Sequence, residues 1–96
     1  MVILMFDIIK EITDVFPLIE KVYFQNDLSE FQKYRYNELY EFHFSLGLWI
    51  RNNLLKESEK LFIYLKKSGV NCKDDMSELI INMFYITIKN RTVLDR

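Results

Sequence analysis

Large apolar residues recur at spacings of three and four along almost the whole chain of 96 residues. This period is typical of amphipathic helices, whereas half-buried strands alternate every second residue. Ile8 and Ile12 show the pattern near the start of the chain, and Leu46 and Ile50 show it in the middle. The sequence therefore predicts an all-α fold, a compact single domain of about five helices spanning residues 1–96.

Pro17 and Asp27 mark predicted helix starts in the first third of the chain. Proline is tolerated in the first turn of a helix but breaks its interior. One helix should therefore end before Pro17 and a second begin there, with Leu18 and Val22 on its buried face. Asp27 can accept the free N–H groups of a third helix, and Glu30 is its expected capping-box partner.

Three further helices are predicted in the rest of the chain. A central helix should run from Asn37 to about Asn53. The next should end at Gly69, because glycine readily adopts the left-handed conformation that ends many helices. The last should begin at Asp74, since acidic residues stabilise a helix N-terminus. β-branched residues over 80–88 leave a strand as the alternative there.

Composition narrows the class of protein. Half of the residues are hydrophobic, 16% are aromatic and the formal net charge is −1, unlike disordered chains. Cys72 is the only cysteine, which fits a reducing compartment. One cysteine and one histidine are too few for a structural zinc site, so we expect no metal and no cofactor.

The apolar opening at residues 1–6 has two interpretations. A signal peptide needs a basic start and a small-residue cleavage site, and Asp7 interrupts the apolar run early. We therefore expect a chain start that packs on the core. No apolar run approaches the roughly 20 residues of a membrane span, so we predict a cytoplasmic protein that does not bind membranes.

Charge divides unevenly between the two halves of the chain. Residues 1–48 hold eight acidic and four basic residues, and residues 49–96 hold six and nine. Tyrosines are enriched at protein interfaces, and acidic neighbours attract a basic partner. We predict a partner-binding surface made of Asp27, Glu30, Tyr34, Tyr36, Glu38, Tyr40 and Glu41. The alternative is that these rings cover the edge of the core. Nucleic-acid binding is not expected, because it needs a more basic domain.

His43, Gly47 and Arg51 follow one another at intervals of four in the predicted central helix. In the structural interpretation, Gly47 lets the last helix approach and Arg51 forms a bidentate ion pair with Asp74 or Asp75. His43 then packs edge-on and donates one hydrogen bond. In the functional interpretation, His43 is a general base oriented by Asp75, and Arg51 holds an anionic substrate. Few other polar groups are available to complete such a site, which favours the structural interpretation.

Two segments resemble a small bacterial domain family of unknown function. They read Phe42-His43-Phe44-x-Leu46-Gly47-x-Trp49-Ile50-Arg51-Asn52-Asn53 and, after a Gly-Val turn, Asp74-Asp75-Met76-Ser77. The likeness covers about residues 39–85. Cys72 and Lys73 stand where the family pattern has His-Pro, so a two-histidine chemistry does not carry over. Trp49 belongs with His43, Gly47, Arg51 and the two aspartates to the structural motif that the resemblance implies.

Domains of this kind resemble immunity proteins that accompany secreted bacterial toxins, including those of contact-dependent growth inhibition. The resemblance implies a non-enzymatic protein that neutralises a cognate toxin, a basic nuclease domain, by stoichiometric binding. The acidic, tyrosine-rich first half would then cover the toxin. The alternative functions are a small enzyme or anion-binding domain that uses His43, Arg51 and Asp75, and a structural adaptor in a larger assembly.

Overall fold

The computed structural model describes residues 5–94, with side chains described for residues 5–91. Over this range the chain forms helices joined by short turns. They are α1 (Met5–Asp14), α2 (Phe16–Leu18), a π-helix (Ile19–Tyr23), α3 (Ser29–Lys33), a 3-10 helix (Tyr36–Phe42), α4 (Leu46–Asn53), α5 (Lys60–Lys67) and α6 (Lys73–Leu94). Residues 5–94 contain no strand, so the predicted all-α fold is confirmed and residues 80–88 are helical.

The 22-residue helix α6 is the element along which α3, the 3-10 helix and α4 all pack. Its most deeply buried apolar side chains are spaced four apart, as expected for the inner face of an amphipathic helix. They are Met76, Ile80, Phe84 and Ile88. The Phe84 ring lies at the centre of the core and contacts the rings of Phe16 and Phe31, both with centroids 5.3 Å away.

The segment after Pro17 differs from the prediction. Pro17 does lie in the first turn of a helix, but that helix continues as the π-helix, whose wider turn changes which side chains face inward. Ile19 is fully buried there, whereas Leu18 and Val22 are exposed. The predicted burial of Leu18 and Val22 is therefore wrong.

The predicted central helix from Asn37 to Asn53 is two helices in the structure, the 3-10 helix and α4, separated by a turn at residues 43–45. At the break, the His43 carbonyl accepts a hydrogen bond from the Arg51 side chain, 3.4 Å away. The predicted end at Asn53 is correct. Its side-chain amide donates to the Trp49 carbonyl, 2.9 Å away, and so caps the helix.

The Asp27 carboxylate accepts hydrogen bonds from the hydroxyl and the backbone N–H of Ser29, 2.6 and 3.1 Å away. These bonds lower the pKa of Asp27 because they favour its charged form. Glu30 pairs with Lys33 at 3.3 Å and not with the backbone of Asp27. Asp27 thus accepts a free N–H as predicted, but that N–H belongs to Ser29, and neither bond of the predicted capping box with Glu30 is present within residues 5–91.

The start of the chain does not follow the prediction where it is described. Met5 and Phe6 are exposed and do not pack on the core, and residues 1–4 lie outside the described residues. Among the helices of residues 5–94, none combines the length and the apolar character that crossing a membrane requires.

Gly69 ends α5 in the predicted left-handed conformation, with φ of 105°. The N–H of Val70 donates to the carbonyl of Leu65 at 3.0 Å, and the N–H of Gly69 donates to that of Lys66 at 3.2 Å. This pair of bonds defines a Schellman motif. It directs the chain from α5 into α6.

Replacing Gly69 tests this turn. A Cβ at Gly69 would meet nothing within 4 Å, so Gly69→Ala should destabilise through backbone strain alone, by about 1–2 kcal/mol. Gly69→Asn should cost less, because asparagine tolerates positive φ better. Urea denaturation measures both free energies of unfolding, and equal losses would contradict this account.

Candidate functional site

The Arg51 side chain joins α4 to α6 and to the turn at residues 43–45. It is only 14% exposed, and its Nε lies 3.4 Å from Asp74 Oδ1. Nη1 donates to Ser77 Oγ at 3.0 Å, and Nη2 donates to the His43 carbonyl at 3.4 Å. The fully buried Ser77 hydroxyl donates in turn to the Asp74 carbonyl, 2.9 Å away. The predicted ion pair is thus present with Asp74, but it is not bidentate, because only Nε pairs with the carboxylate while the two terminal nitrogens bond to Ser77 and His43. Asp75 is exposed and outside this network.

Gly47 provides the space that the Arg51 guanidinium occupies. A Cβ at Gly47 would lie 2.9 Å from Arg51 Nη1, which is closer than real Cβ contacts come. The same Cβ would lie 3.7 Å from Ile81 Cδ1 on α6, an ordinary van der Waals distance. The closest neighbour of Gly47 is therefore the Arg51 guanidinium, and α6 lies farther away. The prediction had named only the approach of α6.

The ion pair itself contributes little to stability, because Asp74 is 67% exposed. Exposed ion pairs are typically worth about 0–1 kcal/mol, since water screens them. Arg51 stabilises the fold mainly through its hydrogen bonds to uncharged groups and the packing of its stem.

A cavity of about 340 Å³ lies between the 3-10 helix and α6. Its lining residues are Tyr36, Asn37, Leu39, Tyr40, His43, Glu78, Ile81 and Asn82. A 3-10 helix repeats every three residues, so Asn37, Tyr40 and His43 fall in one row along it. Glu78 and Asn82 are one turn apart on α6 and close the cavity from the other side.

The His43 ring lies on this cavity and packs edge-on against Phe44, with centroids 5.0 Å apart. The predicted hydrogen bond from the ring is wrong: within residues 5–91 the ring donates none, and the carbonyl of His43 accepts instead. Neither Arg51 nor Asp75 lines the cavity. The three residues of the enzyme hypothesis therefore do not line one cavity, although the Arg51 side chain bonds to the His43 carbonyl. The described residues also contain no group of three potential metal ligands.

The residues of the predicted partner surface have different environments. Tyr36 and Tyr40 on the 3-10 helix are 56% and 72% exposed. Tyr34 is half-buried against Phe42, with ring centroids 4.8 Å apart, and its carbonyl accepts a hydrogen bond from the Tyr85 hydroxyl at 2.8 Å. Tyr34 therefore covers the edge of the core, whereas Tyr36 and Tyr40 are available to a partner.

The acidic members of that surface also divide into two groups. Asp27 and Glu30 are exposed on and before α3, where they bond within the helix start. Glu38 is half-buried, and its carboxylate accepts the Arg35 N–H at 2.9 Å. Glu41 is exposed on the same 3-10 helix. Trp49 on α4 packs against Tyr23, with ring centroids 5.8 Å apart, and so contributes to the packing of the fold.

Several residues of the site were not predicted from the sequence. Phe44 is 81% exposed beside His43. Glu78 and Asn82 face the cavity, and their spacing of four on a predicted helix was the available signal. Asn37 was expected to cap a helix and not to line a cavity. It aligns with Tyr40 because the 3-10 helix repeats every three residues.

Removing either end of the Arg51–Asp74 pair should have unequal effects. Arg51→Ala should lower the free energy of unfolding by about 2–3 kcal/mol, because it removes the bonds to Ser77 and His43 and the packed stem. Asp74→Asn should cost less than about 1 kcal/mol. Urea denaturation at low and high salt measures both values. A larger loss for Asp74→Asn would contradict the division proposed here.

A double-mutant cycle tests whether Gly47 is required by Arg51. Alanine favours helix by about 1 kcal/mol over glycine, yet Gly47→Ala should destabilise the natural chain by about 1 kcal/mol, since the guanidinium must move. In the Arg51→Ala background, Gly47→Ala should stabilise, because the remaining contacts at 3.6 and 3.7 Å are ordinary. Additive free energies would show that the two residues are independent.

Comparison with known proteins places the chain in a family. No curated protein and no solved structure shows significant similarity to it. Residues 10–87 match a family model described as "Domain of unknown function (DUF6794)". The match begins at residue 10, well before residue 39, so it covers the end of α1 together with α2 and α3 as well as residues 39–85. Because this span makes up most of the chain, the protein belongs to the DUF6794 family.

Proposed function

We propose that this protein is a non-enzymatic immunity protein that neutralises a basic toxin domain by stoichiometric binding. The observation that carries the proposal is a row of exposed aromatic side chains at and after the 3-10 helix. Tyr36, Tyr40 and Phe44 are 56%, 72% and 81% exposed. Exposed aromatic residues of this size, with acidic neighbours, are typical of protein interaction sites. We call Tyr36, Tyr40, Phe44, Glu38 and Glu41 the aromatic–acidic surface.

The electrostatic environment of this surface favours a basic partner. The charge of Glu41 raises the pKa of the Tyr34 hydroxyl, and Glu30 and Glu38 add to this effect. Desolvation of the hydroxyl also contributes to the rise of this pKa. A negative potential of this kind accelerates association with a basic protein and makes the rate sensitive to salt.

The enzyme hypothesis has less support from the geometry. Arg51 is held by Ser77, His43 and Asp74 and does not reach the cavity that His43 faces. A catalytic base needs a reacting group within hydrogen-bond reach, and a substrate anion needs an accessible cation. The arrangement of His43, Arg51 and Asp75 provides neither in one place. The finer assignment to immunity proteins follows from the resemblance of the two sequence segments.

Co-expression with the toxin domain encoded beside its gene tests the proposed function. We expect restored growth and a 1:1 complex by calorimetry, with an association rate that falls about tenfold or more as salt rises. The double variant Tyr40→Ala, Glu41→Gln should weaken binding by about tenfold or more, since it removes an aromatic anchor and a charge.

The matched control is the double variant Phe6→Ala, Glu57→Gln, which removes an exposed ring and an exposed acid outside the aromatic–acidic surface. Its affinity should remain close to that of the natural chain. Growth that is not restored, or protection by far less than one protein per toxin, would contradict stoichiometric neutralisation.

A further inference from the structure

We propose that the cavity between the 3-10 helix and α6 receives the guanidinium side chain of an arginine from the bound partner. The protein origin of that arginine rests on the proposed function. The preference of the cavity for a guanidinium rests only on its own residues. Two buried aliphatic side chains form its floor, two tyrosines form its walls, and Glu78 with Asn82 forms its rim.

The apolar floor and the aromatic walls can contact the methylene groups and the planar guanidinium of an arginine side chain. Leu39 and Ile81 are buried and form apolar floor contacts for methylene groups. Tyr36 and Tyr40 line the cavity but leave more than half of their side chains exposed. Aromatic faces attract cations, and a planar guanidinium can also stack on them. The Tyr36 ring also packs against the Tyr85 ring, with centroids 6.1 Å apart, and the exposed parts of both tyrosines remain open to a ligand.

The rim supplies acceptors for the cation. Glu78 and Asn82 lie one turn apart on α6 and both face the cavity. Within residues 5–91, neither side chain makes a hydrogen bond or ion pair, and no lysine or arginine lines the cavity. A guanidinium has five N–H donors in a rigid fork, which match a carboxylate and a neighbouring amide oxygen. Glu78 is thus an available counter-ion.

Size and charge select among ligands. About 340 Å³ lies at the small end of ligand pockets, enough for one long side chain. An anionic ligand would be repelled by Glu78, and the side-chain amides of Asn37 and Asn82 carry no charge to offset it. Lysine fits less well than arginine, because a compact ammonium lacks the planar surface and the forked donors.

Titration of the ¹⁵N-labelled full chain with N-acetyl-arginine methylamide, followed by NMR, tests the cavity. We expect saturable shifts at the amides of residues 36–43 and 78–82, with a dissociation constant in the millimolar range. N-acetyl-citrulline methylamide, which has the same shape without the charge, should bind about fivefold more weakly or worse. Equal shifts from both compounds, or shifts elsewhere only, would overturn the proposal.

Glu78→Gln is the test variant and Glu57→Gln the matched control. Glu78→Gln should weaken binding of the arginine probe about fivefold or more, while Glu57→Gln leaves it unchanged. Both side chains are exposed, so both variants should fold, and unshifted amides in α5 confirm this. Equal affinity of the two variants would overturn the role of Glu78.

Competition with the toxin domain distinguishes this proposal from the proposed function. Displacement of the arginine probe by bound toxin supports a partner arginine as the occupant. A toxin complex that leaves the probe bound would overturn that occupant while the proposed function stands. Probe binding without growth protection would overturn the proposed function and the partner origin of the arginine together, leaving the guanidinium preference supported.

Discussion

The Arg51 guanidinium packed over Gly47 is the interaction on which the arrangement of the second half depends. A cation largely removed from water must have its donors satisfied, and each of the three side-chain nitrogens of Arg51 has a partner. Ser77 and Asp74 belong to the first turns of α6, and His43 belongs to the turn before α4. One side chain thus fixes both the approach of α6 and the point at which the 3-10 helix ends.

Fixing that end determines the chemistry of the surface. In a continuous α-helix, residues three apart would rotate progressively around the axis, and Asn37, Tyr40 and His43 would diverge. In the 3-10 helix they align and face α6 across one cavity. The carbonyl of His43 bonds to Arg51 while its ring lines the cavity. The structural network and the candidate binding site therefore share a residue without sharing a function.

Predictions from the sequence succeeded where a local rule determines the outcome. The helical period, Pro17 in a first turn and Gly69 at a helix end all follow from short-range chemistry. The exposure of Leu18 and the split of the central helix do not. They depend on a π-helix and a 3-10 helix that tertiary packing selects, and neither has a distinct residue pattern. The cavity depends on the 3-10 helix, so it could not be predicted from the sequence.

The first turns of α6 show how the fold separates stability from recognition. Asp74 and Glu78 are two carboxylates four residues apart on one helix. Asp74 has its cation within the chain, supplied by Arg51 from α4. Glu78 faces the cavity, whose lining among residues 5–91 contains no lysine or arginine. Because Ser77 and Glu78 are neighbours on the same helix, the hydrogen bond from Arg51 to Ser77 also fixes the position of Glu78. The internal contacts of Arg51 thus preorganise a site for an external cation, at little conformational cost on binding.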